Sequence, residues 1–92
     1  MAWRLEYTKE AVRQLRKMGQ SDSRRVRDWM RKNIDGCDDP RVHGKGLTAN
    51  LSGKWRYRVG DWRVLANIDD GVVTVEVFMV EHRSEVYKKK RH

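Results

Sequence analysis

Apolar and polar positions change period several times along the 92 residues. Trp3-Arg-Leu-Glu-Tyr7 alternates, the period-two signature of a short strand. From Lys9 onward, Ala11, Val12, Leu15 and Met18 fall at helical spacing. Thr8 is placed to cap that helix and Gly19 to end it. A second helical stripe follows, Val26, Met30 and Ile34 with Trp29 alongside; Ser21 or Ser23 is the expected cap and Gly36 the stop. A link of about two to four residues predicts an antiparallel helical hairpin. Residues 37–53 hold Asp39-Pro40, Gly44, Gly46 and Gly53 and read as a loop, with Leu47 and Leu51 expected to anchor it to the core.

The period then returns to two. Trp55, Tyr57 and Val59 share one face of a strand, and Lys54, Arg56 and Arg58 share the other. With Gly60-Asp61 as a two-residue turn, Val59 pairs with Trp62 and Arg58 with Arg63. Asp69-Asp70-Gly71 marks a second turn. With Asp70-Gly71 as its loop, Ile68 faces Val73, Ala66 faces Val75, Val64 faces Val77 and Trp62 faces Met79, all apolar. The other face then carries Lys54, Arg56, Arg58, Arg63, Asn67, Thr74 and Glu76, and His82 continues it by alternation. The expectation is a single α+β domain over 1–92: an N-terminal strand, an antiparallel helical hairpin and a three-stranded antiparallel meander packed against the helices, with room for a short C-terminal helix.

Composition sharpens this picture. The formal net charge is +8, from 21 Lys and Arg against 13 Asp and Glu. Such an excess serves solubility or meets a polyanion, either nucleic acid or an acidic protein. The terminal run Lys88-Lys-Lys-Arg-His92 is a solvated tail or adds non-specific affinity for nucleic acid. Cys37 is alone, which excludes an internal disulfide, and no Cys/His set has zinc spacing. The opening residues lack the apolar run of a signal peptide and no stretch is long enough to span a bilayer, so a cytoplasmic protein without membrane attachment is expected.

Two arginines directly opposite each other on a sheet repel. A fold does not need such a pair, but an anionic ligand does. An RNA backbone laid across the face can be cut without a metal when its 2′-hydroxyl attacks the adjacent phosphorus. That needs a base, an acid and cations around the crowded phosphate. Arg58 and Arg63 suit the cation pair, and Arg56 lies one pleat away. Arginine stays protonated and is a poor base. His82 has a side-chain type suited to proton transfer near neutrality. Glu76 is either a base or a neutralising partner of Arg56 or Arg58. Tyr87 either stacks on a base or donates a proton.

The run Gly46-Leu-Thr-Ala-Asn-Leu-Ser-Gly-Lys-Trp-Arg-Tyr-Arg-Val-Gly-Asp-Trp-Arg-Val-Leu, followed by His82-Arg-Ser-Glu-Val-Tyr, resembles the RelE branch of the RelE/ParE toxin superfamily. Element order, length and charge agree with it. The resemblance implies the toxin of a type II toxin–antitoxin pair: a ribosome-dependent, metal-independent endoribonuclease without a cofactor, cleaving mRNA in the ribosomal A site. It implies a cognate RelB-like antitoxin as partner, and operator DNA bound only through the antitoxin complex. Residue by residue, it makes Arg63 the phosphate-stabilising arginine and Tyr87 the substrate-orienting tyrosine. Arg58 and His82 complete the expected catalytic set, while Lys54, Arg56 and Arg83 are expected to bind substrate. Arg56 and Arg58 stand where the best-studied members carry lysines. The alternative within the same superfamily is a ParE-like toxin that inhibits DNA gyrase and cuts nothing. A third is a degenerate copy that only binds.

Overall fold

The computed structural model describes residues 2–84. Tyr87 and the terminal basic run lie outside the described residues. The elements are β1 (Arg4–Tyr7), α1 (Lys9–Lys17), α2 (Gln20–Asn33), β2 (Lys45–Gly46), a 3-10 turn (Ala49–Leu51), β3 (Trp55–Val59), β4 (Trp62–Asp69) and β5 (Thr74–His82). They form one five-stranded sheet in the order β1-β5-β4-β3-β2. The outer strand β1 runs parallel to β5, and the other pairings are antiparallel. The expected α+β order is present, with β2 added in the loop before the meander.

The N-terminus of α1 is built as its sequence predicts. Thr8 is extended and its Oγ1 accepts from the Ala11 N–H at 3.1 Å. The junction between the helices differs from expectation. Met18 and Gly19 are the only residues between them, and Gly19 serves as the N-cap of α2 rather than as a stop. Ser21 and Ser23 lie inside the first turn. The Ser23 N–H already donates to the Gly19 carbonyl at 2.9 Å, so neither serine caps. Gly36, at φ 78°, ends the second helical segment, and its N–H donates to the Trp3 carbonyl at 2.8 Å. That bond fixes the exit of α2 beside β1.

One sheet face is dry. Tyr57, Val59, Val64, Ala66, Val75, Val77 and Val80 pack there against Ala11, Leu15, Val26, Met30 and Ile34 of the helical segment. Each fully buried aliphatic or aromatic side chain contributes about 1.5–3 kcal/mol. This face therefore dominates the stability, and the opposite face is free to carry charge.

The loop over 37–53 is tethered elsewhere than at the expected Leu47 and Leu51. Leu51 is 40% exposed and anchors nothing, and Leu47 is half-buried. Pro40 is fully buried instead, and its carbonyl accepts from the Tyr57 hydroxyl at 2.7 Å. The His43 carbonyl accepts from Trp55 Nε1 at 2.8 Å, and Trp29 meets the His43 ring edge-on at 5.5 Å. Arg41 grips Asp70 with two parallel bonds of 3.0 and 2.8 Å, joining this loop to the β4–β5 turn. Gly44, at φ 81°, threads a tight passage: a Cβ there would collide with the Arg56 carbonyl and sit 2.7 Å from Trp55 Nε1. It lets Lys45 and Gly46 pair with Arg56 and Trp55 as β2.

The first hairpin has the expected register, Arg58 opposite Arg63 and Val59 opposite Trp62. Gly60 takes φ 61°, as the first residue of a II′-type turn requires. The second hairpin does not. Asp69 pairs with Thr74, Ile68 with Val75 and Ala66 with Val77, leaving a four-residue turn over 70–73. The physical reason is local. Neither Asp70 nor Gly71 has the positive φ that an Asp-Gly two-residue turn demands; Val73 has it instead, at 50°. Asp69 Oδ1 accepts from the Gly71 N–H at 2.9 Å and the Val72 N–H at 3.4 Å, which stabilises the wider turn.

A β-bulge then falls where Leu65 and Ala66 meet β5. Ala66 pairs with Val77 but Leu65 pairs with Met79, so Phe78 is the extra residue. Beyond it Val64 faces Val80, Arg63 faces Glu81 and Trp62 faces His82. The Val80 N–H donates to Gln14 Oε1 of α1 at 2.7 Å, which pins the shifted segment. The bulge exchanges the faces of everything that follows it on β5.

Candidate functional site

The face away from the helices is organised in three rows across the strands. Nearest the Gly60-Asp61 turn stand Arg58, Arg63 and Glu81, on β3, β4 and β5 in succession. One pleat in lie Lys45, Arg56, Leu65 and Met79. Rows on one face are about 7 Å apart. The third row holds Lys54, Asn67 and Glu76. There the Lys54 ammonium donates to Asn67 Oδ1 at 2.5 Å, and Asn67 Nδ2 reaches Glu76 Oε1 at 3.5 Å. Lys54 Nζ also lies over the Phe78 ring, 5.7 Å from its centroid.

This placement sorts the expected residues. Arg56, Arg58 and Arg63 are brought together. Lys54 shares their face but is engaged with Asn67, one row beyond Arg56 and two from the Arg58–Arg63 pair. Glu76 partners Asn67 rather than any of the arginines, and Thr74 is buried with Oγ1 donating to the Val72 carbonyl at 2.9 Å. His82 is moved off the face on which alternation put it. The bulge sets it opposite Trp62, ring centroids 4.8 Å apart and planes at 79°, on the side of Val64 and Val80. Its Nδ1 accepts from the Ser84 N–H at 3.1 Å and lies 2.8 Å from Ser84 Oγ. Arg83 follows the end of β5 with its side chain exposed, and its N–H donates to the Asp61 carbonyl at 2.8 Å. That bond holds it beside the Arg58–Arg63 turn.

The electrostatics of the three arginines are unfavourable without a ligand. Burial lowers the basicity of Arg56, and the Arg63 and Arg58 charges push in the same direction. Arg56 Nε is buried with no hydrogen-bond partner among the described residues. An orphaned buried donor costs about 1–3 kcal/mol. Leu65, 3% exposed, forms an apolar floor between Arg56 and Met79. A guanidinium cluster over a dry floor suits a phosphodiester: the charge pairs with the planar donor forks, and the floor excludes competing water.

Glu81, and the pairing of Lys45 with Arg56, escaped the sequence reading. Lys45 joins the cluster because a two-residue strand pairs it with Arg56, and so short a strand leaves no periodic signal. Glu81 joins because of the bulge. A signal for it exists in the valines at 75, 77 and 80, whose spacing breaks period two just where the bulge lies.

The comparison with known families decides the lineage. The family described as the ParE toxin of the type II toxin–antitoxin system parDE matches residues 5–87. The chain belongs to the RelE/ParE family of type II toxins. Toxin RelG of Mycobacterium tuberculosis is 37% identical over 51 residues, which cover 55% of this toxin and 59% of RelG. The match thus spans less than two thirds of that relative. The toxin–antitoxin complex RelBE2 from the same organism superposes with a TM-score of 0.81 at 29% identity, over 90% of this chain and 100% of the other. A mutant of the Escherichia coli toxin RelE in the free state gives 0.72 at 23% identity, over 99% and 98% of the two chains. That last likeness is one of fold.

Proposed function

We propose that this toxin is a ribosome-dependent endoribonuclease that cuts mRNA in the A site. The observation that carries the reading is the cluster of Arg56, Arg58 and Arg63 on the face the helices leave free, with an orphaned guanidinium donor at its centre. In this reading Arg63 and Arg58 bind the non-bridging oxygens of the scissile phosphate as charge builds up there. Arg56 and Lys45 take a flanking phosphate, and Arg83 and Lys54 extend the track at either end. The 2′-hydroxyl attacks phosphorus, the bond to the 5′-oxygen breaks, and the products are a 2′,3′-cyclic phosphate and a 5′-hydroxyl. His82 serves by packing on Trp62 where β5 ends, and Tyr87 orients the substrate from the segment beyond it. No metal is assigned a role.

The partner in this reading is an acidic, amphipathic antitoxin segment of RelB type, through which the pair meets operator DNA. A groove of about 520 Å³ runs along Tyr7, Val12, Leu15, Arg16, Met18 and Arg27. Its apolar floor and arginine rim complement such a segment. RelBE2, similar in fold at 29% identity, is itself a toxin–antitoxin complex.

Mapping of mRNA 5′ ends tests the activity, with and without ribosomes, for the wild type and Arg63→Ala. The reading expects A-site cuts only on ribosomes, lowered about 10²–10³-fold by the substitution, the usual cost of removing one oxyanion stabiliser. Full cleavage by a folded Arg63→Ala protein would overturn the site assignment. The matched family description names ParE, so the same cells are scored for the gyrase reading: a DNA-damage response with filamentation and uncut mRNA supports that alternative.

A further inference from the structure

The Arg58–Arg63 row ends in a carboxylate. Glu81 stands directly opposite Arg63 on β5, on the cationic face, and is half-buried. Directly opposite residues in an antiparallel pair have β-carbons about 4.5–5.5 Å apart. A carboxylate there is within a side chain's reach of any phosphate held by Arg63 and Arg58. The other carboxylates that the register puts on this face, Glu76 beside Asn67, Glu6 opposite Glu76 and Asp69 opposite Thr74, lie two or more rows away, about 13 Å or more along the strands. His82, the neighbouring candidate for proton transfer, faces Trp62 on the opposite side. The arginines accept no proton under ordinary conditions. The row that holds Arg58 and Arg63 therefore also holds a carboxylate acceptor, Glu81.

We propose that Glu81 is the proton acceptor of this site, a role that rests on the ribonuclease reading above. The 2′-hydroxyl proton passes to a Glu81 carboxylate oxygen as the bond from O2′ to phosphorus forms. The bond from phosphorus to O5′ then breaks, and water supplies the proton that the departing oxygen takes up. Glu81 afterwards returns its proton to solvent. Arg63 in this arrangement holds the phosphate directly across from the accepting carboxylate. The bulge gains a functional meaning, because with Phe78 in regular register the residue opposite Arg63 would be Val80, which has nothing to accept a proton.

Single-turnover cleavage of a ribosome-bound mRNA tests this, measured from acid to neutral pH for the wild type, Glu81→Gln and Glu81→Asp. General-base catalysis is worth about 10²–10⁴-fold. Glu81→Gln is expected to lose at least 10²-fold in rate, to keep its half-saturating ribosome concentration, and to lose the wild-type decline of rate towards acid. Glu81→Asp is expected to retain part of the rate and all of the decline, and it carries the test alone if thermal melts show Glu81→Gln unfolded. Cleavage by Glu81→Gln within threefold of wild type overturns the proposal. So does a slow Glu81→Gln that keeps the wild-type pH slope, since Glu81 would then act only by holding Arg63. A wild type that cuts no mRNA on ribosomes brings down the ribonuclease reading and this role together, an outcome separable from the first two.

Discussion

His82 meets Trp62 edge to face, ring centroids 4.8 Å apart, across the β4–β5 pair and on the side of the sheet that carries the core. Such pairs contribute about 0.5–1.5 kcal/mol beyond the area they bury. His82→Ala is therefore expected to lower stability by about 1 kcal/mol in urea titrations followed by Trp fluorescence. Ribosome-bound mRNA cleavage is expected to fall less than tenfold, well short of the general acid–base range of about 10²–10⁴-fold. A loss above 10²-fold with an unchanged unfolding midpoint would make His82 a direct participant in the chemistry.

Much of this arrangement was legible in the chain, and what was not has identifiable causes. Hydrophobic period gave both helices, the first hairpin and the pairing of Arg58 with Arg63, because Gly60 meets the backbone demand of a two-residue turn. The same reasoning failed at Asp70-Gly71, where an Asp69 side chain and the Arg41–Asp70 pair stabilise a longer turn. Those partners are local in space but not visible in a dipeptide. The larger miss was the bulge at Phe78. Alternation is exact only in an unbroken ladder, so one inserted residue carried His82 to one face and Glu81 to the other.

The bulge is held from the helix side, and that makes it testable at a distance. Gln14 Oε1 accepts the Val80 N–H at 2.7 Å, and Gln14 lies on α1, on the core side of the sheet. Gln14→Leu leaves that N–H unsatisfied, at a cost of about 1–3 kcal/mol. Hydrogen exchange at Val80 is expected to accelerate, and cleavage to fall although Gln14 never meets substrate. Unchanged exchange at Val80 would show that the strand holds its register without this bond.

Two tyrosines set the alkaline limit. Burial raises Tyr7 from 10.0 to about 12, only partly offset by Arg27, and raises Tyr57 as well. Both are acids whose neutral form the fold favours. Their contribution is fully present below the unfolded value near 10 and is lost as pH rises through the folded values. Stability is expected to be flat towards pH 9 and to decline from about 10 to about 12. Tyr7→Phe should shallow the decline. Tyr57→Phe should also lower the plateau by about 1–3 kcal/mol, because the Pro40 carbonyl loses its donor. Chemical denaturation across this range, wild type against each variant, reads both effects.

The facing arginines predict a trade between stability and binding. Arg58 opposes Arg63 directly and adds to the charge that lowers Arg56 basicity. Like charges in directly opposed positions are destabilising. Arg58→Gln should therefore raise the melting temperature of the free protein at low salt. The gain should shrink towards 1 M salt, where the screening length is about 3 Å. The same variant should bind RNA more weakly and with a shallower salt dependence, by about one phosphate contact. A melting temperature that does not change at low salt would mean that the pair is already screened by side chains around it. A variant both more stable and fully able to bind RNA would show that the repulsion serves no ligand.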